Sequence, residues 1–303
     1  MESQSLEKKE TSGNEIIKEE IKLQLHIWLP VFFLVYYCSF LIPGIIFMLF
    51  IILFYLPNFL EVKSFSTLFT NLPSLIASIA MPLVIIICYL IHLFIVALIT
   101  HWLWRFSERR SPSKSGIIPR NIPSKTLNYY HFRSFIIKYP KNAYSRGPFP
   151  WLINWMYNFV GTNKIGKNVV VEEQFAGDRF VEIGENSYIG PNPGISSHAV
   201  DGIFGNIDFA KIKIGNNFTS GGFNCFAPGV ETGDNSWWLP MSGATKHNVL
   251  KGENYYFGTP LRKIFKKRLM EYLQVSEEDL KKAEILSKDI GQSKKIKKEL
   301  DKS

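Results

Sequence analysis

Two stretches of the chain carry no charged side chain. Between Lys22 and Glu61 lie 38 residues without Asp, Glu, Lys or Arg, and between Lys63 and Arg105 lie 41. Both are rich in Leu, Ile, Phe and Val. A bilayer core about 30 Å thick needs roughly 20 apolar helical residues, so each stretch exceeds one crossing. Pro43 and Pro82 interrupt them. The pattern predicts transmembrane helices over 23–106, either two long kinked ones or four short ones. Both versions leave the flanking segments on the same side.

From residue 161 the pattern is different. Helical spacing disappears and short phrases recur: "IGKN" at 165, "IGEN" at 183, "IGNN" at 214 and "TGDN" at 232. The steps 165 to 183 and 214 to 232 are both 18. Every sixth residue from Ile214 is Ile, Ser, Phe, Thr, Trp, Ala and Leu, ending at Leu250. Three six-residue rungs make one triangular coil of 18. The bulky residue points into the shaft, and a Gly, Asn or Asp nearby permits the sharp corner. Stacked coils then bury a continuous apolar column between parallel strands. The region 161–264 is therefore predicted to be an all-β parallel β-helix of five coils.

The repeat breaks once. From Ile183 to Ile214 is 31 residues, one coil plus 13. A loop must leave the column there, and His198 stands at its start. A regular column offers no cleft, whereas a protruding loop can form one.

The remaining segments fill in the organisation. Residues 1–22 mix Glu and Lys and read as a mobile tail. Residues 107–125 hold three prolines and read as a linker. Residues 128–160, dense in aromatics and in Arg and Lys, predict short helices, because Pro140, Pro148 and Pro150 forbid a long one. Within the region 107–160 they either lie on the bilayer as interfacial amphipathic helices or pack as a core. Residues 265–303 read as a basic helical tail with Ser276 as an N-cap; residues 261–303 hold 13 Lys and Arg against eight acids.

Charge orients the whole. The segment "RFSERRSPSKSGIIPRNIPSK" carries six basic residues and one acid, and the N-terminal tail has four lysines. The loop between the apolar stretches has only Lys63. The positive-inside rule places both ends and the coil in the cytoplasm, as parts of an integral membrane protein. The apolar run is too long for a cleavable signal peptide. The formal net charge of +9 is read as attraction to anionic membrane lipids, with no nucleic-acid partner.

The chemistry has few candidates. Cys38, Cys88 and Cys225 have no pairing or metal-ligand spacing, and no metal site is expected. Of six histidines only His198 and His247 fall in the coil region. His198 stands out through the register break, with Ser197 beside it and Asp201 near. An imidazole titrates near neutrality and can take a proton from an attacking hydroxyl or amine.

The phrases "IGKN", "IGEN", "IGNN" and "FGTPLRKI" resemble the hexapeptide-repeat acyltransferases, which form left-handed parallel β-helices. The order of "PFPWLINWMYNFVGTNKIGKNV", "DRFVEIGENSYIG", "SSHAVDG" and "IKIGNNFTSGG" is most similar to the membrane-embedded C-terminal units of poly-lysine-type peptide synthetases. The rung at Gly177 lacks its bulky residue, and Leu261 replaces an Ala of the closing motif. In that second family three units are fused in one chain, so a single unit implies a homotrimer.

The resemblance further implies that His198 is the catalytic general base and that acyl-CoA, acetyl-CoA first, is the co-substrate. Its pantetheine arm would run past Gly222, Ala227, Ser242 and Lys246. Asp178, Glu182 and Asp201 would orient the acceptor, unless they are solvated corner residues. A lipid-linked or saccharide acceptor fits a membrane enzyme. Two other readings stay open: amide-bond formation from an aminoacyl thioester, and a non-catalytic trimeric membrane scaffold.

Overall fold

A computed structural model describes residues 25–120, 122–172, 177–201 and 205–265, with a few positions between 274 and 285. The expected N-terminal tail and most of the basic C-terminal tail fall outside the described residues. Within the latter, Ser276 Oγ accepts a hydrogen bond from the Asp279 N–H at 3.1 Å, at the start of helical residues 277–279. The described residues fall into two compact units. The first holds the chain up to Lys164 with Asp178–Phe180 and His198–Ala210; the second holds the rest.

In the first unit the apolar stretches form two helical runs. Helix α1 (Leu25–Phe50) passes directly into a π-helical stretch, Ile51–Leu60, and α2 spans Leu72–Arg110. Leu29–Leu60 and Leu72–Arg110 are long and apolar enough to cross a membrane. Two runs form because the helix continues through Pro30, Pro43 and Pro82; Pro57 falls in the π-helical stretch, where the backbone ladder is already shifted.

Three short helices follow: α3 (Lys125–Ile136), α4 (Lys138–Ser145) and α5 (Ile153–Val160). Ser124 caps α3 by accepting from the Leu127 N–H at 3.1 Å. Their inner faces pack: Ile137, Tyr144, Met156, Tyr157 and Val160 are all buried. Polar contacts join them to α2. The Tyr144 hydroxyl donates to the Leu93 carbonyl at 2.8 Å, and His101 Nδ1 meets the Phe159 carbonyl at 2.6 Å. The packed alternative for this segment thus describes its inner face.

The stretch 107–125 is not the plain linker its prolines imply. Helix α2 runs on to Arg110, and strand β1 (Gly116–Ile118) pairs antiparallel with a strand of the 13-residue insert. That insert, His198–Ala210, is a hairpin of β2 (His198–Asp201) and β3 (Asn206–Phe209), giving a sheet in the order β1-β3-β2. Ile118, Leu127, Tyr130, Ile207 and Phe209 form its core, with Phe180 against it.

The second unit is the coil. One face stacks strands at Lys164–Ile165, Val181–Ile183, Ile212–Ile214, Glu231–Thr232 and Val249–Leu250. A second stacks Val170–Val171, Tyr188–Ile189, Thr219–Ser220, Trp237–Trp238 and Tyr255–Phe257. A third stacks Gly194–Ile195, Cys225–Phe226 and Gly243–Ala244. Pairing is parallel with Ile183 opposite Ile214, Ile195 opposite Phe226 and Ser220 opposite Trp238. The register therefore resumes correctly after the insert. Arg262–Ile264 closes the second face as an antiparallel strand.

The six-residue positions fill the column. Ile183, Ile189, Ile195, Ile214, Ser220, Phe226, Thr232, Trp238 and Ala244 are all buried. Phe226 stacks on Trp238 at 4.3 Å, and Phe218 meets Trp238 edge-on at 5.5 Å. The missing bulk at Gly177 has a cause: a Cβ there would meet Val181 at 2.8 Å and Ile195 at 3.1 Å, so neighbours already fill the space.

The corners divide labour in a way the sequence conceals. The left-handed backbone falls on Asn168, Asn186, Asn217 and Asn235, three residues after each column position. Asn tolerates this conformation through local hydrogen bonding. Their amides form a ladder, Asn168 to Asn186 at 3.0 Å and Asn217 to Asn235 at 3.0 Å. The glycine serves close approach instead. A Cβ on Gly184 would meet the Asn216 backbone nitrogen at 2.6 Å, the next coil's chain.

Candidate active site

His198 is the first residue of β2, opposite Phe209 of β3. It is half-buried. Its ring stands edge-on to Tyr130 at 6.0 Å, and Tyr130 meets Phe209 at 5.5 Å. Tyr130 is on α3, so a helix before the coil and a hairpin within it combine at one point.

Arg179 completes the cluster. Its guanidinium lies over the Tyr130 ring at 4.8 Å and near Phe209 at 5.9 Å, and Asp178 Oδ1 is 3.9 Å away. Next to it Phe180 holds a left-handed backbone and stacks on Phe209 at 4.7 Å. The Phe180 N–H donates to the Thr162 carbonyl at 2.7 Å, which fixes where Asp178 and Arg179 emerge.

The electrostatics favour a neutral imidazole. Burial lowers the His198 pKa below its usual 6.5, and the positive charges of Arg179 and Lys141 lower it further, while Asp178 opposes them. His131 on α3 is lowered similarly, by burial first and then by Arg120 and Arg179. Burial raises the Tyr130 hydroxyl. A neutral imidazole at pH 7 can accept a proton, as a general base requires.

The other expected site residues have varied positions. Asp178 joins the His198 cluster through Arg179. Asp201 is exposed at the far end of β2, three residues from His198 and so about 10 Å along the strand. Glu182 is on the coil, paired with Lys211 at 2.8 Å. Gly222 is a corner residue half-exposed beside Pro191, Ala227 follows the Cys225–Phe226 strand, and Lys246 is half-buried. Ser242 is buried, and its hydroxyl accepts from the Gly258 N–H at 3.3 Å. Its side chain is thus turned into the coil's own hydrogen bonding. His247 is at a corner, in the left-handed region. Among the described residues no group of three or more His, Cys, Asp or Glu is placed to hold a metal.

Tyr130, Arg179 and Lys141 were not candidates from the sequence. Their only signal was the adjacency of Arg179 to Asp178 in "DRF"; the rest comes from packing.

No protein-family model matches this chain, and no curated protein matches it. Solved structures do resemble it. A hexapeptide-repeat-containing acetyltransferase from Vibrio cholerae matches at 20% identity and TM-score 0.31, over 35% of this chain and 64% of that one. The chain therefore spans 64% of that relative's length. A maltose O-acetyltransferase from Clostridium difficile matches at 19% identity and TM-score 0.28, over 57% and 86%. An N-acyltransferase from Bacillus cereus, in complex with dTDP and 3-hydroxybutyryl-CoA, matches at 18% and 0.26, over 41% and 82%.

Proposed function

We propose that this protein is a membrane-anchored acyltransferase in which His198 is the general base. The observation that carries the reading is the insert itself. A regular column is interrupted for 13 residues, and the first side chain out is a half-buried histidine whose charge is suppressed by burial and by Arg179. His198 takes the proton of an acceptor hydroxyl or amine. The freed oxygen or nitrogen attacks the thioester carbonyl of an acyl-CoA co-substrate, acetyl-CoA first. The carbon–sulfur bond breaks, and the departing thiolate recovers the proton from the imidazolium. An ester or amide and free CoA result.

Gly222, which has no side chain, Ala227, whose side chain is one methyl, and Lys246, a cation for a CoA phosphate, are the donor candidates on the coil. Ser242, buried under the same face, belongs to that set as well. Asp178, beside the guanidinium, is the acid best placed for the acceptor. Two apolar helices of spanning length, with six basic residues following the second, support an integral membrane protein with a cytoplasmic coil. A left-handed coil and a homotrimer belong to the same reading. Exposed Phe223 and Met241, at corners one coil apart, support contact between copies. The acceptor would be lipid-linked or a saccharide at the membrane.

The test uses full-length protein in detergent with radiolabelled acetyl-CoA and a membrane lipid extract. Wild type should release thiol and move label into the extract, and His198→Ala should do neither while keeping its fold. Equal label transfer by both proteins would remove His198 from the reaction. Absence of thiol release from wild type with acetyl-CoA and with aminoacyl thioesters alike would favour the scaffold.

A further inference from the structure

The first unit buries two guanidinium groups and satisfies them differently. Arg133, 3% exposed, donates to the Ser111 carbonyl at 2.6 Å and meets the Glu108 carboxylate at 3.3 Å. Arg179, 2% exposed, has one carboxylate, Asp178, at 3.9 Å. Its other neighbours are Tyr130 and Phe209, which offer ring faces and, from Tyr130, a hydroxyl that hydrogen-bonds the side chain; its Nε has no hydrogen-bond partner among the described residues. A guanidinium carries five N–H donors, and a buried charge is costly unless paired and hydrogen-bonded. Arg133 has a carbonyl and a carboxylate at close range, whereas Arg179 has its carboxylate at 3.9 Å and leaves its Nε unpaired.

The surroundings are cationic as well. Lys141 acts on His198, Arg120 acts on His131, and Arg179 acts on both. Asp178 is the acid that acts on His198 in return, and Glu108 is engaged by Arg133. The Asp178 side chain is 24% exposed against 3% for that of Arg179, so the carboxylate is the member of the pair that reaches solvent.

We propose that Arg179, helped by the positive charge of Lys141, binds an oxyanion carried by the acceptor, a phosphate or a carboxylate. The oxyanion takes over the place that Asp178 holds loosely, completes the hydrogen bonding of the guanidinium, and sets the acceptor's reactive group beside His198. That the oxyanion belongs to an acceptor rests on the acyltransferase reading; that Arg179 binds one does not.

Binding is therefore measured without turnover. The thermal midpoint of the full-length protein in detergent, followed by tryptophan fluorescence, is titrated with sodium phosphate and sodium acetate against sodium chloride at equal ionic strength. A second arm compares nanodiscs with and without phosphatidate. A rise in the midpoint with the soluble ions assigns a soluble oxyanion, and a rise with phosphatidate alone assigns a lipid-borne one.

In either case Asp178→Asn should lower the half-saturating concentration about tenfold and Arg179→Gln should raise it about tenfold, opposite signs expected of competing charge-assisted bonds. Lys141→Gln should also raise it. No response in either arm, or no tightening by Asp178→Asn, overturns the proposal. Should Arg179→Gln not fold, Asp178→Asn and Lys141→Gln still decide. Oxyanion binding without His198-dependent acyl transfer would leave this site standing and remove the catalytic reading.

Discussion

The coil and its insert bury opposite kinds of side chain. The column is filled by Ile, Phe and Trp stacked at van der Waals distance, with Phe226 and Trp238 almost wholly buried. The insert and the segments packed on it bury Arg179 and half-bury His198. Apolar burial stabilises a fold in proportion to area and needs no particular partner. Buried charge is costly and is retained where a specific interaction requires it. On the proposed function, the contrast divides stability in the one region from chemistry in the other.

That division predicts different responses to substitution. The largest stability effect belongs to the column. Trp238→Ala should destabilise the protein by about 3–5 kcal/mol, read as an earlier denaturant midpoint, with thiol release per folded molecule unchanged. Next comes the close approach between coils. Gly184→Ala pushes a Cβ into the Asn216 backbone and should cost about 1–3 kcal/mol, measured in the same way. Asn217→Ala, at a left-handed corner, should cost about 1–2 kcal/mol, the smallest of the three. If these column and corner changes abolished activity while the fold survived, the division would fail.

The pH dependence sharpens the other side. His198 and His131 have folded-state pKa values below their unfolded value of 6.5. The unfolded chain therefore binds more protons as the pH falls through about 6.5, and folded stability should decline in that window and below it. Above 6.5 both states are neutral and the contribution is flat. His131→Gln should shallow the acid decline in thermal midpoint without moving the plateau at higher pH.

Legibility in the sequence follows the same division. The column could be read because each six-residue position depends only on its place in the repeat, and the 13-residue excess located the insert and His198. The corner residues were half legible: "IGxN" was seen, but Asn bends the chain and Gly admits the neighbouring coil. Strand β1 could not be read, since three residues with polar neighbours become a strand only by pairing with the returning hairpin. Nor could the meeting of Tyr130 with Arg179, about 50 residues apart in sequence. Such contacts have no periodicity, because tertiary packing alone creates them. The burial of Ser242 was legible for the converse reason: its place in the repeat points inward.

The most direct measurement is the pH dependence of thiol release from acetyl-CoA, as kcat/KM, for wild type and His198→Ala at matched fold. The account predicts a wild-type profile whose acid limb lies below pH 6.5, the side to which Arg179 and burial push the imidazole. It predicts a mutant rate lower by about 10²–10⁴-fold without that limb. An unchanged limb in the mutant would contradict it, and the base would then have to be sought elsewhere than His198.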